Sequence, residues 1–354
     1  MAASIKVVYD DVGLSISAAL GARSGYSAPV LSFENGIHVL GTGLRLDPRR
    51  RQPRAIVSHA HADHVARHKR WVTTPATAAL CARRWEAADL EVHDFDTPWS
   101  EGPASFTLLP AGHILGSAMV LVEIDGLRVL YTGDFRLRAS ATAEPCRPVE
   151  ADVLVMECTF GEPRYRFPDR AAALDELCDF IEHTLARDGT PVLLAYALGK
   201  AQEIARLLGD RGYGVALHAS AWEMLEVYRE MGVRFEHCEP YALGPVRRGV
   251  LIVPPHLARS PMVRRLPRRR IAFLSGWAMG PPDRARIPWD TAIPISDHAD
   301  YGELLEMVER VRPERIYTLH GPESFATRLR ARGHDARAAT RETVDAGWQL
   351  PLFR

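Results

Sequence analysis

The sequence predicts an α/β protein: a strand-rich frame into which a second α/β module, with a mainly parallel sheet, is inserted. Three observations lead there. The first 160 or so residues are short apolar runs joined by tight turns. From about residue 165 to 290 apolar runs alternate with stretches of helical spacing, the pattern of βαβ units. Helix, strand and helix patterns then follow once more. The 354 residues, 47% hydrophobic and 25% charged, exclude disordered and fibrous classes. A chain of this length forms about two domains, or one large domain with an insertion, and buries a core without disulfides.

Each element has a local reason. VLSFENGIHVL places Asn35-Gly36 between apolar runs, a type I′ hairpin signal, and MVLVEIDGLRVLYT repeats it with Asp125-Gly126. AIVSH is a short buried strand ending at His59, and DVLVMECTF (152–160) is another. AALDELCDFIEHTLARDG (172–189) has helical spacing, with Gly189 as its expected C-cap. PVLLAYAL, YGVALHA, GVLIVPP, RRIAFLSG and TAIPIS read as strands, with GKAQEIARLLGDRG and SAWEMLEVYREMG as helices among them. YGELLEMVERV and SFATRLRARG are helices flanking the strand RIYTLHG.

Lys+Arg and Asp+Glu both number 44, so bulk positive charge does not define this chain's partners, although a local basic groove is compatible with it. The basic residues are nearly all arginine; the lysines are Lys6, Lys69 and Lys200. Five cysteines without CxxC spacing argue against a disulfide framework or a thiolate zinc site. The opening MAASIKVVYDD lacks the pattern of a signal peptide, and no apolar run reaches the ~20 residues of a membrane span. The expectation is a cytoplasmic chain with no membrane partner.

The strongest chemical signal is His59-Ala-His61-Ala-Asp63-His64, directly after the strand RAIVS. On an extended backbone side chains two apart point the same way, so His59 and His61 converge on one ion. Where the chain turns into an expected helix, Asp63 and His64 swing toward a second position. Imidazole and carboxylate suit a borderline ion such as zinc. His113 in LLPAGHILGSA, Asp134 in LYTGDF and His320 in YTLHGP share one grammar: apolar strand, small residue, ligand.

HxHxDH, AGH, TGD and a C-terminal HG together resemble the metallo-β-lactamase superfamily, whose fold is an αββα sandwich with a two-metal site at one edge. The resemblance implies one ion on His59, His61 and His113, another on Asp63, His64 and His320, and Asp134 bridging them. The cofactors implied are two divalent ions, zinc first and manganese second, sharing a hydroxide as nucleophile. MECTFG with Glu157, ALGKAQEIARLL with Lys200, ISDHAD with His298 and TLHGP with His320 are similar to the motifs of the β-CASP branch, which are nucleases. That assigns residues 1–165 and 291–354 to the metallo-β-lactamase domain and 166–290 to the β-CASP domain. The catalytic residues implied are Asp63, Glu157 and His298. His298 donates to the scissile phosphate or protonates the leaving oxygen, while Glu157 orients it and keeps it protonated.

The substrate implied is nucleic acid. Overall size, TPATAAL, YALGKAQ, LSGW and ISDHAD resemble the compact bacterial ligase-associated DNA exonucleases, which favours DNA repair, with a ligase or helicase as partner. His320 in the third motif is shared with RNA-acting members, so an RNA-processing nuclease is the alternative. A small-molecule hydrolase, such as a thioesterase or lactonase, is a further rival on the same metal site. An inactive scaffold is the last rival, and the intact set of seven metal ligands argues against it. Candidate substrate contacts are Lys200, Ser117, Ser275, Gly276 and Trp277, the last as a base-stacking or core residue. The Arg-rich segments at 49–54 and 264–270 are candidate walls of a strand-binding groove.

Overall fold

A computed structural model describes residues 4–10, 13–19, 29–33, 36–85, 89–244, 246, 249–280 and 288–339. Among these, two sheets face each other and a third stands beside them. The first sheet has eight strands in chain order, from Ser4–Asp10 to Asp89–Val92. The second has seven; its centre runs Arg315–Leu319, Val153–Glu157, Leu127–Tyr131, Ala118–Ile124, Ala104–Pro110.

Strand alternation explains the sandwich. In Ala118–Ile124, Val120 and Val122 pack toward the first sheet, against a core that includes Leu46, Ile56 and Val72. Met119 and Leu121 point the other way, toward helices Tyr301–Val311 and Glu323–Arg330. Val153 and Val155 against Leu154 and Met156 repeat this period of two. On the far side of the first sheet, helix Pro75–Arg84 packs with Trp71 and Val57. The result is the mixed α/β sandwich the motifs imply.

The Asp125-Gly126 hairpin forms as its sequence predicts. Both residues have positive φ, 50° and 78°, as a type I′ turn requires, and Ile124 pairs with Leu127. Of the other hairpin signal, Asn35 lies outside the described residues; Leu31 and Ser32 pair antiparallel with Val39 and His38 around it. Two expectations are corrected. No helix follows His61: the His64 amide donates to the His61 carbonyl in a single turn, and the chain runs on to the strand Arg70–Thr73. Ala62 to Lys69 has no apolar repeat at helical spacing, so nothing would hold such a helix to the core. Gly189 is not the C-cap of its helix, which runs Arg170–Leu185; Asp188 takes the positive φ of 52° in the turn that follows.

The third sheet is wholly parallel, ordered Cys238–Pro240, Gly214–Leu217, Gly249–Val253, Pro191–Leu194, Arg270–Leu274, Thr291–Ile293. Helices Arg170–Leu185, Lys200–Gly209 and Ala219–Glu230 pack on one face. Parallel sheets present ligands to the crevice beyond the carboxyl ends of their strands. Here those ends face the sandwich.

One buried ion pair ties the two parts together. Arg136, in the loop after Leu127–Tyr131, is 1% exposed and grips Glu203 of helix Lys200–Gly209 with both Nη atoms, at 3.0 and 2.7 Å. Arg136 Nη1 also donates to the Ser296 carbonyl at 3.0 Å. Ser140 Oγ and the Ala141 amide donate to Glu203 as well. Burial would raise the Glu203 pKa, but Arg136 and Arg170 overcome it and hold the carboxyl near about 2, below its ordinary 4.5. Its stabilising contribution is therefore complete above about pH 4.5 and lost as pH falls toward about 2. Glu203→Ala leaves the Arg136 charge buried and uncompensated, so it should cost about 3–5 kcal/mol in denaturant unfolding at pH 7. The Glu203→Gln variant should lose less stability than wild type between pH 5 and 2; parallel pH profiles would contradict this role.

Candidate metal centre

Strands Ala104–Pro110, Leu127–Tyr131, Val153–Glu157 and Arg315–Leu319 run in one direction in the second sheet. Their carboxyl ends therefore deliver His113, Asp134, Glu157 and His320 to one edge. The first sheet supplies His59, His61 and His64 beyond the strand Arg54–Ile56. The turn geometry is demanding. Gly133 has φ +53°, and a Cβ there would lie 2.9 Å from Ser58 Oγ, so the loop carrying Asp134 needs glycine. His320 itself sits at φ +54°, a conformation that surrounding structure must impose.

The imidazoles converge with their lone pairs free. His59 Nδ1 donates to Ser58 Oγ at 3.0 Å, His61 Nε2 to the Leu198 carbonyl at 3.2 Å, and His113 Nδ1 to the Asp297 carbonyl at 2.8 Å. The opposite nitrogens then lack hydrogens and face each other. His61 Nδ1 is 3.2 Å from His59 Nε2 and 3.0 Å from His113 Nε2. Three mutually facing lone pairs repel unless a cation lies among them. Ligand atoms about 2 Å from a tetrahedral ion lie roughly 3.3 Å apart, which these spacings match. Asp134 Oδ2 completes the group at 3.5 Å from His59 Nε2 and 3.8 Å from His113 Nε2.

A second group shares Asp134. His64 Nε2 is 3.4 Å from Asp134 Oδ2, and His320 Nδ1 is 3.9 Å from Asp134 Oδ1. Each set, His59 with His61, His113 and Asp134, and His64 with Asp134 and His320, is close enough to hold an ion. Asp63 stands at the rim: its side chain is 73% exposed and its Oδ2 is 4.0 Å from His64 Nε2.

Electrostatics favour the ligand forms of His59, His61, His113 and Asp134. Burial, reinforced by neighbouring histidines, lowers the pKa of His59, and burial lowers that of His61. Burial with His298 and His61 takes His113 down to about 3. These three rings are neutral. Burial would lower His64 too, but Asp134 and Asp47 outweigh it and raise its pKa. Burial would raise the pKa of Asp134, but His64 and His298 overcome it, and the carboxyl is held well below its ordinary range.

Next to these groups lies a carboxylate–histidine pair. His298 Nδ1 donates to Glu157 Oε1 at 3.0 Å and is 3.9 Å from Asp134 Oδ2. Glu157 is 1% exposed and also accepts from the Phe135 amide and from Thr159 Oγ1, so its orientation is fixed. Burial would depress the His298 pKa; Glu157 and Asp134 reverse this and carry it up to about 10, so the ring is an imidazolium.

Residues 291–345 match the family described as the Zn-dependent metallo-hydrolase RNA specificity domain. The chain is 42% identical over 310 residues to a protein of Opitutus terrae named "Probable DNA ligase", covering 86% of this chain and 30% of that one. It is 31% identical over 180 residues to an RNase J-like protein of Methanocaldococcus jannaschii, covering 44% of this chain and 43% of that one. It is 30% identical over 206 residues to the endoribonuclease ysh1 of Aspergillus fumigatus, covering 57% of this chain and 21% of that one. The chain resembles the β-CASP branch of the metallo-β-lactamase superfamily in its motifs, and these matches fit that branch. It spans less than half the length of each of these relatives.

The metal groups border a cavity of about 980 Å³. Lys200, Ser275, Gly276 and Trp277 line it. Lys200 is 3% exposed and its Nζ is 3.0 Å from Asp297 Oδ1, so a buried carboxylate already balances its charge. Ser117 does not line the cavity. It is buried, and its Oγ accepts from the His113 and Ile114 amides, so it holds the His113 loop instead. The Arg-rich segments do not line this cavity either, although Arg49 lines a small pocket shared with Asp47 and His320. Arg54 is committed to Glu91 and Glu101. Arg268 to Arg270 lead into the strand Arg270–Leu274, at the end of the third sheet away from the cavity; none of Arg264, Arg265, Arg268, Arg269 or Arg270 lines it. Among the described residues no helix is long and apolar enough to cross a membrane.

Sequence reasoning missed Asp47. It is 7% exposed, at φ +42°, and collects four hydrogen bonds: the Ser58 amide at 2.7 Å, Ser58 Oγ at 2.5 Å, His64 Nδ1 at 2.8 Å and Tyr131 OH at 2.8 Å. It fixes His64 directly and His59 through Ser58. An aspartate before Pro48 reads as an ordinary turn, so nothing local announces it. Arg84 was missed too; it lines the cavity and its Nη1 donates to the Ala60 carbonyl between His59 and His61. Asp47→Ala should weaken zinc binding by about 10- to 100-fold in chelator competition. Unchanged affinity in a folded variant would show that the histidine tautomers are set without it.

Proposed function

We propose that this chain is a metal-dependent nuclease that hydrolyses phosphodiester bonds at two divalent ions, zinc first and manganese second. His59, His61 and His113 would hold one ion, Asp63, His64 and His320 the other, with Asp134 between them. The observation that carries this reading is the set of imidazole nitrogens converging on Asp134, those of His59, His61 and His113 unprotonated, with the His298–Glu157 pair beside them. Such ions supply Lewis acidity, polarising phosphoryl oxygens and making a water acidic enough to ionise near neutral pH.

The chain's own residues do the rest. Glu157 occupies His298 Nδ1, leaving Nε2–H to donate to a phosphoryl oxygen or to protonate the departing oxygen. The Asp297 carbonyl fixes His113, so one short loop, 296–298, serves both the metal group and the acid. The unit built on the sheet from Pro191–Leu194 to Thr291–Ile293 acts as the inserted β-CASP domain and roofs the cavity.

The substrate we favour is DNA, with an exonuclease role in repair and a ligase or helicase in the same pathway. The 42% identity to part of a chain named a DNA ligase supports it. RNA processing is the second reading, favoured by the match to the RNA specificity domain family and by the RNase J-like relative. End-labelled single- and double-stranded DNA and RNA, offered with zinc or manganese, separate the two by product length and strand type. His298→Ala should retain metal and lose about 10²- to 10⁴-fold in kcat. Full activity in that variant, or no cleavage of any nucleic acid by the metal-loaded wild type, would overturn the reading.

A further inference from the structure

Segments beyond the carboxyl ends of five parallel strands in the third sheet reach the wall of the same cavity. They bring Tyr196 after Pro191–Leu194, Ser220 after Gly214–Leu217, Pro254 after Gly249–Val253, Trp277 after Arg270–Leu274 and His298 after Thr291–Ile293. The strands bearing Tyr196 and Trp277 are direct neighbours, with Leu194 paired to Phe273. The two aromatic residues therefore stand on adjacent segments of the cavity wall that the metal groups border.

Both rings are exposed where burial would be the default. Tyr196 is 52% exposed and Trp277 37%. Neither is loose. The Trp277 indole rests against Phe160, centroids 4.8 Å apart, and edge-on to Tyr165 at 5.4 Å. Its amide donates to Ser275 Oγ at 3.2 Å. Gly276 lets the loop settle onto the aromatic cluster, since a Cβ there would lie 2.5 Å from Phe160 Cζ and 2.6 Å from Phe167 Cζ. The Tyr196 ring is braced by Lys200, whose Nζ is 5.3 Å from its centroid and is itself fixed by Asp297. Two pre-set aromatic faces in a polar, metal-bordered cavity match one ligand chemistry: flat, polar-edged rings carried on an anionic chain. A site of about 980 Å³ has room for a short run of such units.

We propose that Tyr196 and Trp277 form a stacking platform for unpaired nucleobases flanking the scissile phosphate, so that the enzyme selects single-stranded nucleic acid and frays duplex ends before cutting. This rests on the nuclease reading. Stacking is tolerant of base identity, because every base has a π face, so the platform selects strand state and not sequence.

The test uses the full chain with oligothymidylate, oligouridylate and the same oligomers carrying one abasic residue at successive positions. In metal-loaded wild type, an abasic residue at a platform position should raise KM roughly tenfold. Trp277→Leu and Tyr196→Leu should each raise KM by a similar factor on intact oligomers, with a much smaller change in kcat. Trp277→Phe should recover most of the loss. On the abasic oligomers variant and wild type should converge. A readout independent of cleavage is the quenching of tryptophan emission when oligothymidylate binds the metal-free protein, which should be lost in Trp277→Phe. Cleavage with unchanged KM in both leucine variants would overturn the platform. Quenching that depends on Trp277, without cleavage of any oligomer, would uphold the platform and overturn the nuclease reading.

Discussion

Everything at this site depends on keeping neutral imidazoles packed lone pair to lone pair in the interior. His59, His61 and His113 point unprotonated nitrogens at one another across 3.0 to 3.2 Å. That arrangement is repulsive by itself, and burial removes the water that would screen it. It persists because each ring is held from behind by an acceptor: Ser58 beside His59 in the chain, and the Leu198 and Asp297 carbonyls from distant loops. Two of those acceptors belong to loops that follow strands of the third sheet. The sandwich carries the ligands, and the neighbouring unit sets the tautomers of two of them.

This division explains why Arg136 matters although it touches no ligand nitrogen. It lies two residues beyond Asp134 and binds both Glu203 and the Ser296 carbonyl. The loop carrying Asp134, the helix that starts at Lys200 and the loop carrying His298 are thereby fixed relative to each other. A shift of about 1 Å at a site of this kind is enough to cost two orders of magnitude in rate. The buried ion pair is better understood as a register device than as a source of stability.

The ligand sequence was legible because its geometry is local. His59 and His61 share a face through the period of two, and the strand–small residue–ligand grammar needs only a few neighbouring residues. The parallel third sheet was legible through apolar periodicity, whereas the αββα arrangement came only with the resemblance that the motifs carry. Asp47 was not, because its function exists only through contacts with Ser58, His64 and Tyr131, up to 84 residues away. Ser117 was misassigned because a serine beside glycines reads alike whether it caps a loop or faces a ligand. The expected helix after His61 failed because His64 and His68 turn inward to polar partners, and no apolar stripe remains to anchor a helix. The arginine segment at 264–270 misled in the other direction: its charge is visible in the sequence, but which end of a parallel sheet carries it is set by the tertiary fold.

Whether cations relieve the repulsion among these imidazoles can be seen by anomalous diffraction from crystals grown with zinc or manganese. Two peaks are expected roughly 3.5–4 Å apart flanking Asp134, one within bonding distance of the His59, His61 and His113 nitrogens and the other of His64 and His320. No peak there, with the three facing nitrogens joined instead through protons or water, would mean that the histidines are packed for some other purpose.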